Sequence, residues 1–252
     1  MDVTKFSEAQ SRAAGVVLKN TYWPCGGYFN LNSARRFMLQ MLKYVQPSGS
    51  LLDLGCSKAI PYRAFVESCD MKWFGADLFD PDDIPSPNYR QSAESSIPFD
   101  DERFDMIMSF HVIEHFTHPE AMFAEINRCL KPGGIIGGAC AFHEFEHVSF
   151  FHLTNRGIES ILERHGFELL SMSPSDHSGW MMEGQRFFGG TGSIMRRSTK
   201  ELLRTTIICN LNWVPFLFCN VCEFLRRNMS LFKRQYTPYQ DAATIYFYAR
   251  KR

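Results

Sequence analysis

The chain has 252 residues, which is enough for one ordinary domain with a full hydrophobic core. Its 27 basic and 27 acidic residues balance, which excludes a general electrostatic attraction to nucleic acid or an anionic membrane, so we expect no nucleic-acid partner. The eight cysteines are scattered, and no basic segment followed by an apolar run opens the chain. We therefore expect reduced thiols, no signal peptide and a cytoplasmic protein.

Two helices are predicted before the first strand, at 3–20 and 32–45. A first strand then reads Leu51-Leu52-Asp53-Leu54-Gly55, an apolar run with an acid inside it and a glycine at its end. This pattern is typical of a buried parallel strand that meets a ligand, because glycine allows a close backbone approach and a buried carboxylate needs a partner. The stretch therefore predicts a ligand site.

Further strands are predicted near 72–77, 88–91, 104–109 and 134–141, with helices near 60–69 and 118–130. A helix that begins near Thr154 and strands near 167–172 and 243–249 complete the pattern. The alternation predicts an α/β fold with a mostly parallel sheet. The second strand ends in an acid, Asp77, and this is the layout of a Rossmann-like half in which the acid accepts hydrogen bonds from a ribose.

Four motifs follow one another in this frame. They are Asp-Leu-Gly-Cys at 53–56, Ile-Pro-Phe before Phe-Asp-Met-Ile, Val-Ile-Glu-His-Phe at 112–116 and Leu-Lys-Pro-Gly-Gly at 130–134. In this order the motifs resemble the class I S-adenosylmethionine-dependent methyltransferases. The resemblance implies a single domain over 1–252, a Rossmann-like seven-stranded sheet with helices on both faces and an antiparallel last strand, and S-adenosyl-L-methionine as cofactor.

The resemblance also implies which residues bind the cofactor. Asp53 acts on the ammonium of the methionine end directly or through water, Gly55 lets the chain approach the methionine moiety, and Asp77 holds the ribose hydroxyls. The full predicted set is Asp53, Gly55, Cys56, Ser57, Asp77, Leu78, Ser92, Ala93, Glu94, Ser109, Phe110 and His111. The chain departs from the family at Ser57 and Ala59, where glycines are usual, and at Ser92, where an aspartate is common.

Three histidines follow the fifth strand, where substrates of this fold enter beside the methyl group. His143, His147 and His152 are the candidate general bases, because neutral imidazole accepts a proton near neutral pH. The alternative for each is loop polarity and helix capping before Thr154. Their spacing matches no zinc signature, so we predict no metal.

Aromatic residues indicate an acceptor pocket. Tyr22, Trp23, Tyr28, Phe150, Phe151 and Trp180 suit a sugar, a phenol or a flat heterocycle, although Tyr22, Trp23 and Tyr28 equally suit packing of the N-terminal helices. Residues 147–157 also resemble a subgroup of bacterial methyltransferases that is similar to enzymes associated with cell-surface polysaccharide and lipid-linked sugar synthesis. We expect 1–47 to cover the site.

About seventy residues, 173–242, separate the last two strands, far more than a connection needs. Their stretch 205–225 is largely apolar, but Asn210, Asn212 and Pro215 interrupt it, which disfavours a membrane span. We predict a helical insert that serves as a lid, a homodimer interface or a peripheral membrane contact.

The sequence thus predicts an enzyme that transfers a methyl group to a hydroxyl group of a small-molecule acceptor. Two alternatives stay open. One is N-methylation of a small amine or heterocycle. The other is a non-catalytic protein of the same fold that binds a partner or a membrane through the insert.

Overall fold

The computed structural model describes residues 7–20, 31–56, 60–78, 89–91, 95–142, 149–175, 242 and 244–252. The helices are α1 (Glu8–Lys19), α2 (Leu31–Met41), α3 (Ile60–Ser68), α4 (Pro119–Cys129) and α5 (Asn155–Arg164), with a 3₁₀ turn at Ile113–His115. The strands are β1 (Ser50–Leu54), β2 (Lys72–Asp77), β3 (Tyr89–Gln91), β4 (Phe104–Phe110), β5 (Leu130–Ala141), β6 (Phe167–Pro174) and β7 (Thr244–Lys251).

The strands form one seven-stranded sheet in the order β3-β2-β1-β4-β5-β7-β6. The first five strands run parallel, and β7 is antiparallel to both β5 and β6. The predicted Rossmann-like sheet with an antiparallel last strand is confirmed. The strand order reverses between β1 and β4, and ligands of open α/β sheets bind outside the carboxyl ends of the strands at such a point.

Each face of the sheet carries its own hydrophobic core. Met106 and Tyr248 face the core under α1, α2 and α3, while the adjacent Ile107 and Phe247 face the core under α4 and α5. Successive side chains of a strand point to opposite faces, so β4 and β7 contribute to both cores. The prediction of helices on both faces is confirmed.

The two N-terminal helices are shorter than predicted. Helix α1 begins at Glu8 rather than residue 3, because Ser7 forms a capping box with Gln10 in which each side chain accepts a backbone hydrogen bond from the other residue. Helix α2 ends at Met41 rather than residue 45, since Tyr44 N–H donates to the Met41 carbonyl and tightens the chain into a turn.

Strand β5 begins four residues before its predicted start. Leu130 pairs with Phe104, and regular pairing resumes only at Ile135 with Met106, so the Lys-Pro-Gly-Gly motif lies in an irregularity of the ladder. Pro132 has no N–H to pair, and Gly133 takes a left-handed φ of +75°. The prediction missed the isolated first pair because proline and glycine normally end a strand.

Hydrogen bonds of the Lys-Pro-Gly-Gly motif link the amino ends of three strands. Lys131 Nζ lies 2.8 Å from both oxygens of Asp105, and Asp105 Oδ2 accepts the Ser50 N–H over 2.8 Å. These residues begin β5, β4 and β1. The network therefore lies at the sheet edge opposite the carboxyl ends.

Most of the predicted insert, 176–241, falls outside the described residues, as does the connector 21–30. The domain limits 1–47 and 173–242 therefore stay predictions. None of the described helices combines the length and the apolar character that a bilayer span requires.

Candidate cofactor site

The carboxyl ends of β1 and β2 place two acids side by side. Asp53 pairs with Gly75 in the parallel register, two residues before Asp77. The two carboxylates are buried, with exposed fractions of 2% for Asp53 and 8% for Asp77. Buried carboxylates are costly without partners, so their clustering at the ligand-binding edge indicates a site for a polar or cationic ligand.

Gly55 makes the turn after β1 possible for two reasons. Its φ is +73°, a conformation that favours glycine, and a Cβ atom here would lie 2.1 Å from Val112 Cγ2. The Gly55 N–H donates to the Ala76 carbonyl over 2.7 Å. The turn is therefore clamped between the end of β2 and the segment after β4.

One of the two carboxylate oxygens of Asp53 accepts a hydrogen bond. Trp73 Nε1 donates a hydrogen bond to Oδ2 over 3.3 Å, and the described residues donate none to Oδ1. Burial raises the pKa of Asp53 to about 8, although the Trp73 hydrogen bond opposes this, and the charge of Asp77 adds to the rise. A carboxyl group in this state gains most from a ligand that brings positive charge.

Gly75 makes room for the Trp73 indole. A Cβ atom at Gly75 would lie 2.6 Å from Trp73 Cη2 and 2.9 Å from the Cys56 sulfur. Trp73, Gly75 and Asp77 occupy alternate positions of β2 and so share one face. Sequence reasoning missed Trp73 and Gly75. The signal that was available is an aromatic residue four positions before Asp77 and a glycine two positions before it, both on the same face of the strand as this acid.

Asp77 closes the second strand with a local hydrogen bond. Its Oδ1 accepts the Leu78 N–H over 2.7 Å, and the Leu78 side chain is 49% exposed. A buried carboxylate followed by an accessible apolar side chain is suited to hold the hydroxyl groups of a ribose and one face of a base.

His111 follows β4 and is backed by a buried acid. Its Nδ1 lies 3.2 Å from Glu114 Oε1, and the same oxygen accepts the Ala141 N–H over 2.9 Å. The His111 backbone is left-handed, with φ +55°, and its N–H donates to the Ala139 carbonyl. A histidine in this conformation is uncommon and marks a position that the surrounding structure enforces.

Glu114 is held as a carboxylate. It is fully buried, and burial alone would raise its pKa. The hydrogen bond and the charge of His111, together with the Ala141 N–H, outweigh burial and hold the pKa of Glu114 below its usual range. A buried anion on Nδ1 fixes the orientation of the imidazole.

The segment that contains Phe150 and Phe151 is attached to the turn that carries Glu114. The N–H groups of Phe150 and Phe151 donate to the Glu114 carbonyl over 2.8 and 3.3 Å. Their side chains are 65% and 43% exposed. His152, one of the predicted bases, follows them and is also exposed. The structure thus brings His111, Glu114 and the start of this segment together.

Comparison with known proteins identifies the fold around this site. Residues 52–137 match the family model described as a methyltransferase domain. This part of the chain is therefore similar to a methyltransferase domain. The matched range begins within β1 and ends within β5, and it includes Asp53, Gly55, Asp77 and His111.

Two curated relatives match the methyltransferase domain over part of their length. An uncharacterized methyltransferase of Schizosaccharomyces pombe is 24% identical over 133 residues, which cover 42% of this chain and 48% of that protein. The sterol 24-C-methyltransferase of the same organism is 27% identical over 105 residues, which cover 37% of this chain and 28% of that protein. The chain therefore spans half or less of the curated relatives that it matches.

Solved structures share the fold at low identity. A Galdieria sulphuraria protein assigned as a sarcosine dimethylglycine methyltransferase aligns with a TM-score of 0.57 at 13% identity, covering 97% of this chain and 98% of that one. The cyclase SpnF aligns with a TM-score of 0.55 at 16% identity, covering 97% and 93%. At these identities the likeness shows the fold, and the predicted class I architecture is confirmed.

Three other predicted cofactor residues of the methyltransferase domain lie in its core. Phe110 packs against Phe37 and Tyr62, with ring centroids 5.3 and 4.9 Å away. Cys56 is buried, and burial raises the pKa of its thiol. Ser109 is fully buried, and its hydroxyl oxygen has no hydrogen-bond partner in the described part of the chain. All three side chains are therefore buried in the free protein.

Several predicted site residues fall outside the described residues, and their roles stay predictions. They are Tyr22, Trp23, Tyr28, Ser57, Ser92, Ala93, Glu94, His143, His147 and Trp180. Within the described ranges, no cluster of histidine, cysteine, aspartate and glutamate side chains has the arrangement of a metal site.

Proposed function

We propose that the chain transfers the methyl group of S-adenosylmethionine to a hydroxyl group of a small molecule such as a sugar or a phenol. The observation that carries the proposal is the pair of buried acids, Asp53 and Asp77, at the point where the strand order reverses, inside a methyltransferase domain. The resemblance of the predicted motifs to class I enzymes and the family match support the same donor.

The described residues fit this cofactor. Asp53 Oδ1, which receives no hydrogen bond from them, suits the ammonium group of the methionine end. Asp77 suits the ribose hydroxyls and Leu78 the adenine. S-adenosylmethionine supplies a methyl group on a sulfonium, which is already a good leaving group, so the work of this chain is largely to position donor and acceptor.

A hydroxyl acceptor needs a base, and the geometry favours His111 among the described histidines. Its Nδ1 is held by Glu114, which leaves Nε2 as the ring nitrogen that faces away from this acid. His143, His147 and His152 stay candidates for the same role. The aromatic pair Phe150 and Phe151, attached to the Glu114 carbonyl, is suited to hold an apolar or ring-shaped acceptor.

Two further parts of the proposal concern location and contacts. The described cysteines Cys56, Cys69, Cys129 and Cys140 are free and buried, which supports a reducing compartment such as the cytoplasm. For the apolar stretch 205–225 we propose a lid or an interface between two copies, with a peripheral membrane contact as the alternative, because polar residues interrupt it.

The acceptor class is tested by incubating the protein with S-adenosylmethionine labelled in its methyl group and a panel of sugars, phenols and amines. We expect label in a hydroxyl compound, and a loss of turnover in His111→Asn that is larger than its loss of affinity for S-adenosylhomocysteine. Label that appears in amines alone, with His111→Asn fully active, contradicts the hydroxyl proposal and favours N-methylation. One protein of this fold is named a cyclase, which shows that the fold also serves other reactions. If this chain binds the cofactor but labels no compound of the panel, it catalyses another reaction or none.

A further inference from the structure

The Trp73 indole gives the Asp53 carboxylate a fixed orientation. Trp73 is 2% exposed and donates its Nε1–H to Asp53 Oδ2 over 3.3 Å. The indole is held in turn by the space that Gly75 leaves and by the Arg63 guanidinium, whose central carbon lies 5.4 Å from the ring centroid. Packing, rather than solvent, therefore sets the direction of this hydrogen bond.

The surroundings of Asp53 supply no positive charge of their own in the described part of the chain. From β2, Asp77 acts on Asp53 as a like charge, and from the turn the Cys56 thiol adds no cation. From β4, the residue in register is the apolar Met108, and Arg63 of α3 lies over the Trp73 ring and is not among the groups that shift the pKa of Asp53. Among the described residues, Asp53 Oδ1 therefore has no hydrogen-bond donor, and the carboxylate has no counter-ion.

We propose that Trp73 is a positioning residue of the cofactor site, which orients Asp53 so that Oδ1 receives the ammonium group of the methionine end, and that binding expels the proton that Asp53 carries. The inference rests on the proposed function, because it requires a ligand of this class. Beyond the proposed function, the inference assigns a role to Trp73 and couples cofactor binding to the release of a proton from Asp53.

The direction of the proton movement follows from burial. Burial raises the pKa of Asp53 to about 8, so the acid of the free protein is mostly protonated at neutral pH. An ammonium group at Oδ1 favours the carboxylate, and the displaced proton passes to solvent. Cofactor affinity therefore increases with pH until Asp53 is ionised in the free protein.

The test is calorimetric titration of the full chain with two ligands that differ in one group. S-adenosylhomocysteine carries the ammonium group, whereas 5′-methylthioadenosine has the same nucleoside and thioether without it. We expect the affinity for S-adenosylhomocysteine to rise about tenfold per pH unit between about pH 6 and pH 8. Titration at pH 7 in two buffers of different ionisation enthalpy is expected to show about one proton released per ligand bound. The affinity for methylthioadenosine is expected to stay constant.

Two variants separate positioning from packing. Trp73→Phe removes the N–H and keeps an aromatic ring, so it weakens S-adenosylhomocysteine binding at pH 7 by about tenfold, moves the pH dependence upward and spares methylthioadenosine. A residue that serves packing alone would weaken both ligands equally and leave the pH dependence in place. Asp53→Asn is expected to abolish the pH dependence and the proton release.

Each result is decisive. Binding of S-adenosylhomocysteine with constant affinity and no proton release overturns the inference and leaves the proposed function standing. Absence of binding of both ligands to a folded sample overturns both. If Trp73→Phe does not fold, the proton release of the wild-type protein and the comparison of the two ligands still decide the matter for Asp53, and Gly75→Ala, which displaces the indole, replaces it as the test of Trp73.

Discussion

The Gly55 turn is the most sharply constrained point of the site, and Gly55→Ala tests the constraint. At φ +73°, an alanine costs about 1–2 kcal/mol relative to glycine. Its Cβ would also lie 2.1 Å from Val112 Cγ2, and such overpacking adds about 1–3 kcal/mol. We therefore expect the variant to lose about 2–5 kcal/mol of unfolding free energy in urea denaturation, together with its affinity for S-adenosylhomocysteine.

Val112→Ala provides the matched partner in a double-mutant cycle. It removes the two methyl groups that overlap, although Val112 Cβ, at 2.9 Å from the new atom, remains close. The double variant should recover the overlap cost and retain the cost of the positive φ, which gives a favourable coupling energy of about 1–3 kcal/mol. A coupling energy near zero, or wild-type stability of Gly55→Ala, would refute the described geometry of this turn.

Three further changes follow from the charges in the structure. Burial raises the pKa of Asp53 from 3.8 to about 8, so the native state keeps a proton that the unfolded chain releases, and wild-type stability falls as pH rises between these values. The wild type loses about 1.4 kcal/mol of unfolding free energy per pH unit in this range, and Asp53→Asn does not. The unfolding free energy of Asp53→Asn, measured by urea denaturation, should therefore rise by about 4 kcal/mol relative to that of the wild type between about pH 5 and pH 8. A difference between the two proteins that does not change with pH would contradict the raised pKa. Asp105 is partly buried, which alone would raise its pKa, but the hydrogen bonds from Lys131 and Ser50 hold that pKa below 3.8. The ionised Asp105 therefore stabilises the fold above this pH, and the stabilisation is lost below it. Asp105→Asn should lower the unfolding free energy by about 1–3 kcal/mol at neutral pH and by progressively less in acid. A loss of the same size in acid would contradict the lowered pKa of Asp105. Glu114→Gln, which keeps an acceptor for the Ala141 N–H, should lower turnover at least about tenfold with a hydroxyl acceptor while S-adenosylhomocysteine affinity changes less than twofold, and equal losses in both would assign Glu114 to the cofactor site.

The parts of the fold that depend on local pattern were predictable from the sequence. The buried run at 51–54 and the acid that ends β2 were recognisable, because each pattern is contained within a few consecutive residues. The helix ends were less predictable, since the Ser7 cap and the tight turn after Met41 depend on individual hydrogen bonds.

The partners of the site residues were not predictable, because they come from register and tertiary packing. Trp73 reaches Asp53 only because β1 and β2 pair with Asp53 opposite Gly75. Glu114 backs His111 only because a 3₁₀ turn follows β4 and returns the carboxylate beneath the imidazole. The contact between Glu114 and His111 has no sequence signature, and for Trp73 the strand periodicity indicates only that it shares a face with Asp77, not that it reaches Asp53.

The measurement that tests the account most directly is calorimetric titration of the purified protein with S-adenosylmethionine and S-adenosylhomocysteine, with Asp77→Ala as the control. We predict dissociation constants in the micromolar range, about −8 kcal/mol, and loss of binding in the folded Asp77→Ala variant. A folded wild-type protein that binds neither ligand would contradict the assignment of Asp53 and Asp77 to a cofactor site.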